Sequence, residues 1–163
     1  MNAREAVKST YALPDMILRS YLDGLTDADL LVRPVPKANH IAWQLGHLIS
    51  ADHEFVEGLC PGLAPKLPEG FQAKHKKETA ESDNPKDFYK KDEYLKVYDQ
   101  MRAAALKMVD TVSESDYDKP APEKFRSYCP TVASVLMMSP SHWLMHVGQW
   151  AVVRRKLGKP PLF

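Results

Sequence analysis

The chain has 163 residues, enough for one domain and too few for two independent cores. Its 44% hydrophobic and 26% charged residues are an ordinary globular balance, which excludes a disordered chain. With 22 basic against 21 acidic side chains the formal charge is +1, which gives no support to the concentrated basic surface that nucleic-acid binding needs.

Four segments carry helical character. The first runs from about Ala3 to Asp23, with Leu18, Tyr21, Leu22 and Leu25 at helical spacing. Pro14 either kinks it or marks the start of its better half, because proline removes a backbone donor. Gly24 is a stop, and Thr26-Asp27-Ala28-Asp29 reads as a capped single turn. Pro34 and Pro36 force an extended connection, after which Asn39 is the expected N-cap of a second helix from about His40 to Leu59. Ile41, Leu45, Leu48, Phe55 and Leu59 form its apolar stripe, and Cys60-Pro61-Gly62 ends it.

A long crossover loop follows from about Pro61 to Pro85, with a short helical piece near Ala73 to Ala80. The third helix spans about Lys90 to Val112, and Ser113 to Pro130 is a second loop. The fourth helix runs from about Thr131 to Leu157, with Gly158 as its stop. Pro140 inside it predicts either a kink or a restart with Ser139 as N-cap. Arg154, Arg155, Lys156 and Lys159 read as a basic last turn complementing the helix dipole. The expected fold is all-α: a single-domain four-helix bundle with one long crossover, spanning residues 1–163.

Cys60 and Cys129 match no CxxC pattern and read as reduced thiols. No apolar run reaches signal-peptide or transmembrane length, so the expectation is a soluble cytoplasmic protein with no membrane partner.

The densest chemical signal is Ser141-His142-Trp143-Leu144-Met145-His146-Val147-Gly148-Gln149-Trp150. Residues four apart on a helix stack on one face, so His142 and His146 can point their imidazoles at one place. Val135, Met138, Gln149 and Val153 lie near the same line, which turns the pair toward the bundle interior. Interior imidazoles need partners, and a borderline-soft divalent metal is a partner for both. The alternative for any one of them is a hydrogen-bonded core histidine. The zinc-protease motif HExxH is absent, since position 143 is Trp, and so are the Glu-x-x-His pairs of di-iron bundles.

A third ligand has to come from His40, His47, His53 or His75. His75, between Lys74 and Lys76-Lys77, reads as solvated, and His40 stands at a helix start. Periodicity leaves His47 and His53 open, because His47 lies roughly 140° from the apolar stripe, beside Gln44 and Ala51. Asp52 falls on that stripe, where it serves either as a salt-bridge or cap contact or to orient a ligand imidazole. Glu54 and Gln149 are further candidate helpers. Trp43, Trp143 and Trp150 either finish the core or form a patch that a second subunit covers.

Asn39-His40-Ile41-Ala42-Trp43-Gln44-Leu45-Gly46-His47-Leu48, the HxxxHxGQ element from His142 to Gln149 with Arg154, Arg155 and Gly158, and Leu25-Thr26-Asp27-Ala28-Asp29-Leu30 together resemble the DinB-like superfamily, its YfiT branch included. The resemblance spans nearly the whole chain. It implies a four-helix bundle in which His47, His142 and His146 bind a metal, and it is what selects His47 over His53. Met138-Ser139-Pro140-Ser141 departs from relatives whose helix is uninterrupted there.

The resemblance further implies zinc or nickel, with iron or manganese as the other options, and a homodimer. It extends to an enzyme that uses a small-molecule substrate and a low-molecular-weight thiol, with thiol transfer ahead of hydrolysis. The alternative is a non-catalytic bundle that the metal stabilises, binding small molecules or acting under stress.

Overall fold

The structure, a computed structural model, describes residues 1–162 and holds no β-strand among them. Its helices are α1 (Ala3–Thr10), α2 (Ala12–Leu22), α3 (Ile41–Leu59), α4 (Phe71–Lys74), α5 (Lys91–Thr111) and α6 (Val132–Lys156). The all-α expectation holds, and the four long arms of the bundle are α1 with α2, α3, α5 and α6.

The first arm breaks at Tyr11, which ends α1 and precedes α2. Pro14 lies in the first turn of α2, where its missing N–H has no intrahelical acceptor to lose, so it marks a start and makes no kink. The turn after Gly24 is capped as its sequence suggests. Asp29 N–H donates to Thr26 Oγ1 at 3.2 Å, and Thr26 N–H donates to Asp29 Oδ2 at 2.8 Å. At the far end of the chain, Gly158 at φ 70° lets its own N–H and that of Lys159 close onto the carbonyls of Arg155 and Arg154, a glycine-dependent stop.

Cross-contacts give the directions of the arms. Gln44 meets Trp150 and Asp52 meets Trp143, so α3 and α6 are antiparallel. Tyr11 reaches Leu136 while Arg154 reaches the carbonyls of Tyr21 and Asp23, so α2 and α6 are parallel. Ala42 lines a groove with Lys90 at one end, and Leu59 lines one with Thr111 at the other, so α3 and α5 are parallel as well. Two successive parallel helices need a connection that travels back the length of α3, about 28 Å. That is the physical reason for the long crossover. Its helical piece is α4 and a 3-10 turn at Lys77–Thr79.

The core is built from the apolar stripes of all four arms, among them Leu18, Leu22, Ile41, Leu48, Met101 and Leu136. Trp43, Trp143 and Trp150 are 6%, 3% and 0% exposed. The rings therefore finish the core and offer no patch to a second subunit. Arg154 is buried too, and its guanidinium caps the last carbonyls of the first arm, so part of the basic C-terminal turn is structural. No helix among the described residues is long and apolar enough to cross a membrane.

Three local expectations need correction. The N-cap of α3 is His40 and not Asn39: His40 Nδ1 accepts the Trp43 N–H at 3.1 Å, as a capping oxygen would. His75 is 2% exposed and not solvated, despite its lysine neighbours. Neither a restart nor a Ser139 cap occurs at Pro140, because α6 continues through it. A proline at 140 removes the N–H that would bond the Leu136 carbonyl. Tyr11 replaces it, its hydroxyl donating to Leu136 O at 2.9 Å in the core.

Candidate metal centre

Continuity of α6 through Pro140 keeps the four-residue stacking of His142 and His146, whose ring centroids are 4.9 Å apart at 71°. From the antiparallel α3, His47 comes within 5.1 Å of the His142 ring and 5.5 Å of the His146 ring. One nitrogen from each of the three rings lies within 4.8 Å of the other two. The bundle thus brings together the two histidines that helical spacing paired and the one that the resemblance added. His53 is not in this group and lines a separate groove with Lys66 and Lys76.

Burial sets the charge state of the trio. It pushes His142 and His146 down to about 4, assisted by the neighbouring imidazoles, and it also lowers His47, against a smaller upward pull from Glu54. All three rings are neutral at pH 7, the state in which imidazole offers a lone pair to a metal. The ring nitrogens of His47 and His142 make no hydrogen bond to any described residue, whereas His146 Nδ1 lies 3.1 Å from Gln44 Oε1. A set of three imidazole nitrogens suits a borderline-soft divalent ion. Among the described residues no carboxylate or thiol joins the group.

The surroundings hold the rings in place. Trp43 stacks on His47 at 4.8 Å and 9°, and Trp43 Nε1 donates to Lys76 O at 3.1 Å, which ties the crossover to the site. Asp52 makes no salt bridge to any described residue; its Oδ2 accepts from Trp143 Nε1 at 2.7 Å, fixing the indole beside His142 in the chain. Burial pushes that carboxyl up to about 6. Glu54 is exposed, and Gln149 accepts from the Gln44 amide at 3.2 Å. Sequence reasoning placed Gln44 only as a neighbour of His47. The available signal was an amide inside the run Ile41-Ala42-Trp43-Gln44-Leu45, where an uncharged polar group needs an interior partner.

His40 and His75 form a contrasting pair. His75 Nδ1 donates to Phe71 O at 2.7 Å and its Nε2 accepts from Tyr94 OH at 2.6 Å. His40 Nε2 donates to Ser82 O at 3.0 Å while Nδ1 caps α3. Gly46 makes room for this packing, since a Cβ there would collide with the His75 ring.

The sequence matches the model of the DinB superfamily over residues 15–150, while no curated protein matches it. That match covers most of the chain, including α3 and the helix that carries His142 and His146. The chain belongs to the DinB superfamily.

Proposed function

We propose that the protein is a divalent-metal-dependent enzyme in which His47, His142 and His146 hold the ion, with zinc or nickel preferred. We further propose that its reaction is transfer of a low-molecular-weight thiol to a small electrophilic substrate, ahead of hydrolysis. The observation that supports this most directly is the convergence of three neutral imidazoles with no fourth protein ligand among the described residues. Structural zinc sites fill four positions with protein, whereas catalytic ones keep a position for water or substrate. When bound, a divalent transition metal supplies Lewis-acid chemistry that acidifies a thiol or a water.

The chain's own residues supply the rest. Asp52 is not among the groups that converge with the three imidazoles, and its Oδ2 is engaged by Trp143 Nε1. Trp43 covers one face of His47 and keeps that imidazole from turning. In thiol transfer a sulfur–carbon bond forms, the bond from that carbon to its leaving group breaks, and the thiol proton passes to solvent.

The test is a panel of low-molecular-weight thiols paired with electrophilic acceptors, run on zinc- and nickel-loaded protein beside ester and amide substrates. Thioether formation that His142→Ala abolishes is the expected result. Loaded protein that is inert toward all of them would favour the non-catalytic alternative.

A further inference from the structure

Gln44 is fully buried, one helical turn before His47, and all of its amide partners are in the structure. Its Oε1 faces Trp150 Nε1 at 2.9 Å and His146 Nδ1 at 3.1 Å. Its Nε2 faces Asn39 O at 2.6 Å and Gln149 Oε1 at 3.2 Å. The orientation of the amide follows from these neighbours. An indole Nε1 can only donate, so the atom against Trp150 must be the oxygen. The Asn39 backbone carbonyl can only accept, so the atom against it must be the NH2 group. Both ends of the amide therefore require the same orientation.

That orientation has a consequence for the neighbouring ring. An amide oxygen cannot donate, so His146 Nδ1 must carry the proton in their shared hydrogen bond. We infer that Gln44 locks His146 in its Nδ1–H tautomer, leaving Nε2 as the bare nitrogen available to a metal. Gln44 is a positioning residue: it acts through His146 and needs no contact with metal or substrate. In solution, imidazole populates both tautomers, and a ring protonated on the ligating nitrogen must lose that proton before it can bind. Partners on the non-ligating nitrogen of metal-bound histidines also fix the ring's orientation and strengthen it as a ligand. Trp150, Asn39 and Gln149 thereby gain a shared purpose: they set the direction of one amide. The tautomer lock stands on the hydrogen bonds alone, and its effect on metal affinity rests on the reading of the trio as ligands.

The test uses the full chain labelled with 15N at histidine, with His146→Ala to assign the His146 signals. Long-range 1H–15N spectra of the metal-free protein at neutral pH should show His146 protonated at Nδ1 and bare at Nε2. Gln44→Met, which keeps the bulk and removes the amide, should lose that bias and weaken Zn2+ binding by about 10- to 100-fold. Gln44→Glu, whose buried carboxyl in its protonated form keeps the carbonyl acceptor for both rings and an O–H for the Asn39 carbonyl, should retain the tautomer and recover the affinity. If Gln44→Met unfolds because the Trp150 N–H is orphaned, pairing it with Trp150→Phe removes the orphan, and the wild-type spectrum alone still decides the tautomer. A wild-type His146 protonated at Nε2, or a folded Gln44→Met with unchanged tautomer and Zn2+ affinity, overturns the inference. The expected tautomer in a protein that takes up no Zn2+ would sink the metal reading and leave the lock intact.

Discussion

Two groups of histidine meet where the start of α3 faces the crossover on one side and α6 on the other, and they are satisfied in opposite ways. His40 and His75 have each ring nitrogen committed to a protein partner: Trp43 N–H and Ser82 O for one, Phe71 O and Tyr94 OH for the other. They fasten the crossover to α3. In the trio of His47, His142 and His146, the rings turn toward one another, and among the described residues only the Nδ1 of His146 finds a hydrogen-bond partner. Burial lowers the pKa of all five, so titration does not separate the groups. Hydrogen-bond accounting does. A buried imidazole with both nitrogens paired is a structural part, whereas converging imidazoles with bare nitrogens are the arrangement that the proposed metal site requires.

The largest effect that sharpens this contrast is a crossed one. His75→Ala removes a ring packed against Gly46 and leaves the Tyr94 hydroxyl proton without its acceptor, and should cost about 2–4 kcal/mol in denaturant unfolding. Its metal content should not change. In metal-free protein His146→Ala should cost less stability than His75→Ala. Equal losses from the two substitutions would erase the distinction.

Acid unfolding offers a second handle. A histidine whose folded pKa lies below its unfolded value stays neutral while the unfolded chain takes up a proton, so stability falls as pH drops from about 6.5 and levels off near the folded value. For His75, pushed from 6.5 to about 4, this amounts to about 3 kcal/mol. Zn2+ should carry the trio's share of the loss to lower pH, because the ion competes with protons for those nitrogens, and should leave the His75 share where it is. Acid unfolding curves with and without Zn2+ that superimpose would count against the trio as ligands.

A third substitution probes how α6 keeps its ligands in line. Tyr11→Phe removes the hydroxyl that serves the Leu136 carbonyl in place of the missing Pro140 N–H, and should cost about 1–3 kcal/mol. Pro140→Ala in the same chain should restore most of the loss by returning the helical N–H. Thermal melts of the single and double variants read this coupling, and additive losses would refute it.

The smallest effect concerns the outer face of α6. Nothing lies within 4 Å of a Cβ placed on Gly148, so within one chain Gly148→Ala should stabilise the helix by about 0.5–1 kcal/mol. A loss of stability instead, steeper at high protein concentration, would show a second copy packed on that face, as the expected homodimer allows.

The four arms were legible because apolar residues recur at helical spacing and because Gly24, Cys60-Pro61-Gly62 and Gly158 punctuate them. The pairing of His142 with His146 was legible for the same reason, being a matter of one helix. His47 was not, since its place facing α6 depends on how two antiparallel helices meet, and spacing along α3 alone put it off the apolar stripe. The burial of His75 was hidden by its neighbours Lys74, Lys76 and Lys77: Lys76 and Lys77 are exposed and Lys74 lies over the Tyr89 ring, while the His75 ring fills the gap left by Gly46. Pro140 suggested a break because its remedy, Tyr11, lies 125 residues before the carbonyl it serves. The cap of α3 shifted by one residue because the His40 ring nitrogen can accept a backbone N–H as an asparagine side-chain oxygen can.

The central claim is that three converging imidazoles hold one metal ion, and direct titration tests it. Metal-stripped protein is titrated with Zn2+ against a chromophoric chelator at neutral pH, beside His47→Ala, His146→Ala and His53→Ala. One ion per chain is expected for the wild type and for His53→Ala, with affinity falling by more than about 100-fold, the upper end for losing a ligand's supporting partner, in the other two. Wild-type protein that binds no Zn2+, or binding that survives His146→Ala unchanged, would contradict it.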